Sequence, residues 1–238
     1  RILAQTLELV VKHVKPGVTT LELDNMAYDF IKSKGAIPTF KGYNPFPNIG
    51  PFPGSICASV NEAIVHGIPT NRILEEGDII TIDCGTIYRG WQGDSAVTVG
   101  VGKISPELQK LLDTTKASLE AGIAQARIGN RVGDISNAIE QRIHQGGKYG
   151  IVREYGGHGL GRRLWEEPSV PNHGAPHKGE KLRAGMVIAI EPMLNLGVDD
   201  TETLLDGWTV VTKDRKPSAH FEHTVAITEN GPDILTLP

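Results

Sequence analysis

Five side chains stand out because their types suit a cation: Asp83 in IITIDCG, Asp94 in GWQGDSAVTV, His158 in YGGHGLGRR, Glu191 at the end of MVIAIEP and Glu222 in FEHTVAIT. A carboxylate inside an apolar, strand-like run is costly to bury unless positive charge offsets the lost hydration. No matching set of lysines or arginines flanks these acids. The pattern therefore points to metal ions. Carboxylates bridge, so four acids and one imidazole suffice for two divalent first-row ions. Such a pair lowers the pKa of a shared water and polarises a substrate carbonyl. Taken singly, each residue has a plainer reading. Asp83 before Cys84-Gly85, Asp94 after Gly93 and His158 among glycines read as turn residues, and Glu191 before Pro192 as a strand end. It is the joint occurrence that shifts the balance.

Other chemistries have less support. The cysteines, Cys57 and Cys84, form no CxxC or Cys/His pattern, so structural zinc and iron–sulfur clusters are disfavoured, and both read as buried free thiols. A histidine in the set and the lack of an EF-hand loop disfavour calcium. There is no GxSxG for a serine hydrolase. GGHGLG lacks the following Lys-Ser/Thr of a phosphate cradle. His66, in IVHGIP, is evenly poised between pocket residue and turn histidine. His223 alternates with Glu222, which places it on the opposite strand face. His173 and His177 fall in a proline-rich loop and read as exposed.

These residues need elements to hold them. Leu3, Leu7, Val10, Val11 and Val14 keep helical spacing, and Pro16-Gly17 ends that helix. Thr19 or Thr20 caps a second helix with Glu22 in its first turn, ending at Gly35. Residues 36 to 56 hold Phe40, Tyr43, Phe46 and Phe52 among prolines and glycines, which suits a pocket-lining loop. A paired segment ends at His66. Strands over 77–84 and 88–99 form a hairpin that lets Asp83 meet Asp94. Ser105-Pro106 starts a helix reaching about Arg127, and another follows Asp134. Three strands are expected over 186–194, around 208–213 and over 221–228. Two helices followed by strands thus occur twice, about 1–100 and 105–238, within one α/β domain spanning 1–238.

With 238 residues and a net charge of −4, the chain can bury a sizeable core, and its surface does not suggest nucleic acid or an anionic membrane as a partner. No apolar run reaches the ~18–20 residues of a membrane span. The chain opens at Arg1, already in a helical pattern, which reads as a trimmed N-terminus and leaves an organelle-targeting segment open.

The runs NEAIVHGIP, IDCG…GWQGDSA, GGHGLGRRLWEEPSVPN, MVIAIEPMLN, DGWTVVTKDRKPSAHFEHT and ENGPDILT resemble type I methionine aminopeptidase over essentially the whole chain. The resemblance implies the pita-bread fold, an α+β arrangement of two pseudo-symmetric halves around a curved, mainly antiparallel sheet. It implies that Asp83, Asp94, His158, Glu191 and Glu222 hold two divalent ions of Mn, Fe, Co or Zn. Asp94 and Glu222 would bridge, Asp83 would complete one site, and His158 with Glu191 the other. Glu191 would also shuttle the proton of the bridging water, and His66 would contact substrate near the scissile amide. Cys57, Phe52, Tyr43, Leu164, Trp165 and Trp208 would complete the substrate pocket. The implied reaction removes N-terminal methionine from peptides and nascent chains when the second residue is small. A cytoplasmic monomer, transiently beside the ribosome, is the corresponding expectation. A proline-directed peptidase of the same fold and a catalytically weakened binding module are the alternatives.

Three positions depart from the family pattern. Trp165 replaces the usual histidine before the acidic pair. Leu164 replaces an aromatic beside it. Asn44–Gly50 reads as an insertion at the pocket rim.

Overall fold

The computed structural model describes residues 1–45 and 48–238. Phe46 and Pro47, within the expected rim insertion, lie outside the described residues. The first half runs α1 (Ile2–His13), α2 (Thr20–Ser33), β1 (Ile37–Pro38), β2 (Ile56–Val60), β3 (Ala63–Val65), β4 (Ile79–Tyr88) and β5 (Trp91–Gly100). The second runs α3 (Pro106–Gln125), α4 (Val132–Gly146), β6 (Gly150–Ile151), β7 (Gly157–Gly159), β8 (Glu166–Val170), β9 (Val187–Ile190) and β10 (Met193–Asn195). It closes with β11 (Thr201–Thr203), β12 (Val210–Thr212), β13 (Ser218–His220), β14 (His223–Thr228) and β15 (Gly231–Ile234).

Local chemistry explains the helix ends. The Thr19 hydroxyl accepts from the Glu22 N–H, and Glu22 accepts from the Thr19 N–H at 2.7 Å, a reciprocal cap that starts α2. Ser105 accepts from the Leu108 N–H at 3.2 Å, with Pro106 at the first helical position of α3. The fourth helix starts before Asp134, not after it. Asp134 is its third residue and reaches back to accept the Arg131 N–H at 2.8 Å. The third helix stops at Gln125, two residues short of the expected end.

Each helix pair covers strands with its apolar face. Leu3, Leu7 and Val10 of α1 join Leu23, Ala27 and Ile31 of α2 and Ile80 and Ile82 of β4 in one core. Leu111, Leu119, Ile135, Ile139 and Ile143 of α3 and α4 join Ile188, Ile190 and Val225 in a second. Full burial of each such leucine, isoleucine or valine contributes about 1.5–3 kcal/mol. Gly122 lets α3 approach α4, since a Cβ there would meet Ile139 at 2.8 Å.

All named strand pairs are antiparallel, and they divide into four sheets. The expected hairpin forms, but β4 runs on to Tyr88, so Asp83 lies mid-strand rather than at a turn. The strand expected over 186–194 is broken at Glu191-Pro192, and that over 221–228 starts only at His223. These breaks lie side by side, because Met193 pairs with His220 and Ile190 with His223. There the two halves are joined: the Glu222 N–H donates to the Ala96 carbonyl at 2.9 Å, and the Ser95 hydroxyl donates to the Glu222 carbonyl at 2.7 Å. The Thr224 hydroxyl donates to the Asp94 carbonyl at 2.6 Å. No helix among the described residues is long and apolar enough to cross a membrane.

Candidate metal centre

The β4–β5 register opposes Asp83 to Ala96 and Asp94 to Gly85. The two aspartates are therefore diagonal neighbours on one face of the hairpin. Asp83 lies beside Asp94 and the Cys57 thiol. Glu191 and Glu222 reach the same place from the two adjacent strand breaks. The Asn172 amide fixes the first break by donating to the Glu191 carbonyl at 3.0 Å. His158 comes from β7, whose flanking glycines let it press between neighbouring strands: a Cβ on Gly157 would collide with the Ala189 carbonyl, and one on Gly159 with that of Glu167.

Donor atoms of Asp94, His158 and Glu222 all lie within 4.8 Å of one another. His158 Nε2 is 3.9 Å from Asp94 Oδ2 and 3.7 Å from Glu191 Oε1. Its Nδ1 is 2.9 Å from the Gly159 carbonyl, which can only accept. The proton is therefore on Nδ1, and the Nε2 lone pair faces the carboxylates. Lone pair facing carboxylate is repulsive unless a cation lies between them. Asp83 Oδ1 and Asp94 Oδ1 are buried with no hydrogen-bond partner among the described residues. The donor set and these orphaned oxygens fit a divalent ion.

Electrostatics agree with this. Burial pushes the Asp83 carboxyl up to about 7. Burial and the Asp83 charge push Glu191 up to about 8. Asp94 and Glu222 are held well above the usual carboxylate range by burial and by the neighbouring acids. Four such groups can all be ionised only with a compensating charge. Burial lowers the His158 pKa, and the neutral imidazole that results is the form that ligates.

Beside the acids lies a cavity of about 60 Å³, and every candidate site residue lines it. Phe40, Phe52, Cys57, Leu164 and Trp208 form its packed apolar wall, with Tyr43 and Ile68 against it. Phe52 meets Trp208 edge-on at 5.3 Å. The Cys57 thiol is pushed up by burial and by Asp83 and Asp94, so it is a packing group and not a nucleophile. Trp165 is 43 % exposed and borders both this cavity and an outer cleft of about 560 Å³. It meets Tyr43 at 5.4 Å and His158 at 6.3 Å, both edge-on. Ile49, from the expected insertion, lines the outer cleft.

His66 holds a left-handed backbone, φ 58°, an uncommon state for a non-glycine residue and one that turns its ring into the cavity. Burial lowers its pKa to about 4. His223 lies away from the site, 2.8 Å from the Thr236 hydroxyl, and His173 is half-buried rather than exposed. Phe40, expected only as part of a pocket-lining loop, belongs to the cavity wall, and sequence reasoning passed over His220 altogether. His220 stands two residues before Glu222, and strand alternation would have placed both on one face.

Residues 1–229 match the model of metallopeptidase family M24. A methionine aminopeptidase of Clostridium acetobutylicum is 52 % identical over all of this chain and 92 % of its own length. The chain belongs to metallopeptidase family M24, among its methionine aminopeptidases. A crystal structure of methionine aminopeptidase from Rickettsia prowazekii superposes with TM-score 0.95 at 40 % identity, covering 100 % of this chain and 93 % of that one. A prolidase from Pyrococcus furiosus, at 21 % identity and TM-score 0.77, shares the fold while this chain covers only 61 % of it. The architecture is the pita-bread fold of this family. As a family M24 member, the chain uses divalent metal, and the Asp94, His158 and Glu222 cluster is a place to bind it.

Proposed function

We propose that this chain is a metal-dependent aminopeptidase that hydrolyses the first peptide bond of nascent proteins and peptides, releasing methionine when the second residue is small. The observation that carries the reading is the meeting of four buried acids and the His158 Nε2 lone pair beside a narrow apolar cavity. Asp83, Asp94, His158, Glu191 and Glu222 would hold two divalent ions. When bound, such ions polarise the scissile carbonyl and lower the pKa of an attacking water.

The chain's own groups supply the rest. The Phe40, Phe52, Cys57 and Trp208 wall accepts an unbranched thioether by shape and polarisability. A side chain ending in an ammonium or carboxylate would lose its hydration there without a partner. Glu191, ionised once a cation offsets its buried charge, takes a proton from the attacking water and returns it to the leaving amine. His66, neutral at working pH, offers one donor at the scissile amide. Trp165 stands where the family carries a histidine. Its indole N–H donates one hydrogen bond but carries no charge, so stabilisation of the developing oxyanion is weaker and turnover slower.

The same reading takes residues 1–238 as one catalytic domain with related halves, acting as a cytoplasmic monomer with transient ribosome contact. Family membership supports it. The test is release of free methionine from Met-Ala-Ser and Met-Leu-Ser, with Xaa-Pro controls, by metal-free protein titrated with Mn, Fe, Co and Zn. Metal-dependent release favouring the small second residue is the expected outcome. Cleavage of the Xaa-Pro peptides alone would move the chain to the proline-directed class. Silence with every ion, and no ion bound, would mean a binding module.

A further inference from the structure

His220 ends β13, next to the break that delivers Glu222. It is 1 % exposed, and neither ring nitrogen has a hydrogen-bond partner among the described residues. Leaving both nitrogens of an imidazole dry and unpaired is costly, so a ring kept in such a place needs a reason. Its Nε2 is 3.6 Å from Glu191 Oε2, while Glu191 Oε1 is 3.7 Å from His158 Nε2. The Glu191 carboxylate therefore lies between two imidazoles, one oxygen toward each.

The two imidazoles cannot play the same part. The His158 proton is committed to the Gly159 carbonyl, so its Nε2 offers only a lone pair toward Oε1. On the other side, with Glu191 ionised as a ligand must be, contact with Oε2 is attractive only if His220 carries its proton on Nε2. Glu191 is thus divided. Oε1 looks toward the acids and His158, and Oε2 looks toward a donor.

The His220 backbone is pinned so that the ring stays there. Its N–H donates to the Thr98 hydroxyl at 2.8 Å, and that hydroxyl donates back to its carbonyl at 2.7 Å. With the Thr98 proton spent, Thr81 must donate in the 2.8 Å Thr81–Thr98 contact. On the other side His220 pairs with Met193 of β10.

We infer that His220 is a positioning residue that donates from Nε2 to Glu191 Oε2, leaving Oε1 as the oxygen available to an ion. The inference rests on the reading of Glu191 as a ligand. Partners of this kind typically change metal affinity 10–100-fold when removed.

The test is calorimetric titration of metal-free protein with Co(II), together with the Co(II) absorption spectrum, for the parent and three variants. His220→Phe and His220→Met remove the donor while keeping apolar bulk, and His220→Gln keeps an N–H donor. Far-UV circular dichroism identifies which variants are folded. Folded donor-free variants are expected to bind the Glu191-linked ion about 10–100-fold more weakly, with an altered spectrum. His220→Gln should stay within about threefold of the parent and keep its spectrum, a rescue that a merely structural role would not produce. Parent-like affinity and spectrum in either donor-free variant would overturn the inference, as would equal loss in His220→Gln and His220→Met. A parent that binds no Co(II) removes the metal-site reading and this inference with it, whereas binding by all four proteins alike removes this inference alone.

Discussion

Removing the ions should change how the fold responds to alkali. Without a cation, Asp83, Asp94, Glu191 and Glu222 share one buried space, and their carboxyls are held above the ordinary range. A carboxyl with a raised folded pKa binds its proton more tightly in the folded chain than in the unfolded one. Its stabilisation is fully present below the unfolded pKa and is lost as pH rises through the folded value. For Asp83, raised from 3.8 to about 7, and Glu191, raised from 4.5 to about 8, that loss extends to about pH 9. Between pH 7 and pH 9 the linkage relation removes about 2 kcal/mol through these two groups, and Asp94 and Glu222 act in the same direction. His66 and His220, with lowered pKa values, are mostly neutral in both states above pH 7, so they barely oppose the trend. For a chain of this length the effect is a fall in Tm of about 4–8 °C or more.

The assay is differential scanning calorimetry of chelator-treated protein at pH 7, 8 and 9, beside protein loaded with stoichiometric Mn(II). The Cys57 and Cys84 thiols, raised by burial and by Asp83 and Asp94, add a smaller fall that metal relieves only in part. Loaded protein should therefore keep only that residue of the pH dependence. A metal-free Tm that is flat or rising from pH 7 to 9 would refute the argument, as would a loaded Tm falling just as steeply.

Trp165→His should raise kcat/KM for Met-Ala-Ser by about tenfold or more by restoring a chargeable donor, and steady-state kinetics showing no gain would count against that role. Asp24 accepts the buried Ser55 and Ile56 N–H groups at 2.5 and 3.0 Å, so Asp24→Ala should cost about 2–4 kcal/mol in urea unfolding. Because those amides start the strand bearing Cys57, the variant should also raise KM. Gly157→Ala drives a methyl into the Ala189 carbonyl. Calorimetry should show a loss of about 2 kcal/mol or more, and Co(II) titration weaker binding through the displaced His158.

Much of the site was legible because its chemistry is local and unusual. A bare acid in IITIDCG or MVIAIEP announces itself against apolar neighbours, and Thr19 with Glu22 spells a helix start within four residues. What the sequence hid is decided at long range. Glu191-Pro192 marks the break in MVIAIEPMLN locally, but nothing local in HFEHTVAIT requires one. The breaks exist because Glu222 pairs with Ala96 of the other half while Met193 pairs with His220. The start of α4 was misplaced because Asp134 caps from the third helical position, reaching backward, and not from the preceding one. Alternation alone puts His220 on the face of Glu222, but its meaning depends on Glu191, 3.6 Å away from the neighbouring strand break.

The Ala96–Glu222 backbone link gives the molecule a kinetic signature. These two amides bridge the halves, the Glu222 N–H to the Ala96 carbonyl at 2.9 Å and the Ala96 N–H back at 3.4 Å. Parting the lobes frees both amides for deuterium and also pulls Asp94 from Glu222. An opening that exposes this ladder rung to solvent also separates the backbone beside Asp94 from that of Glu222. Slow deuterium exchange at Ala96 and Glu222 would report that the two halves stay closed over the Asp94–Glu222 pair.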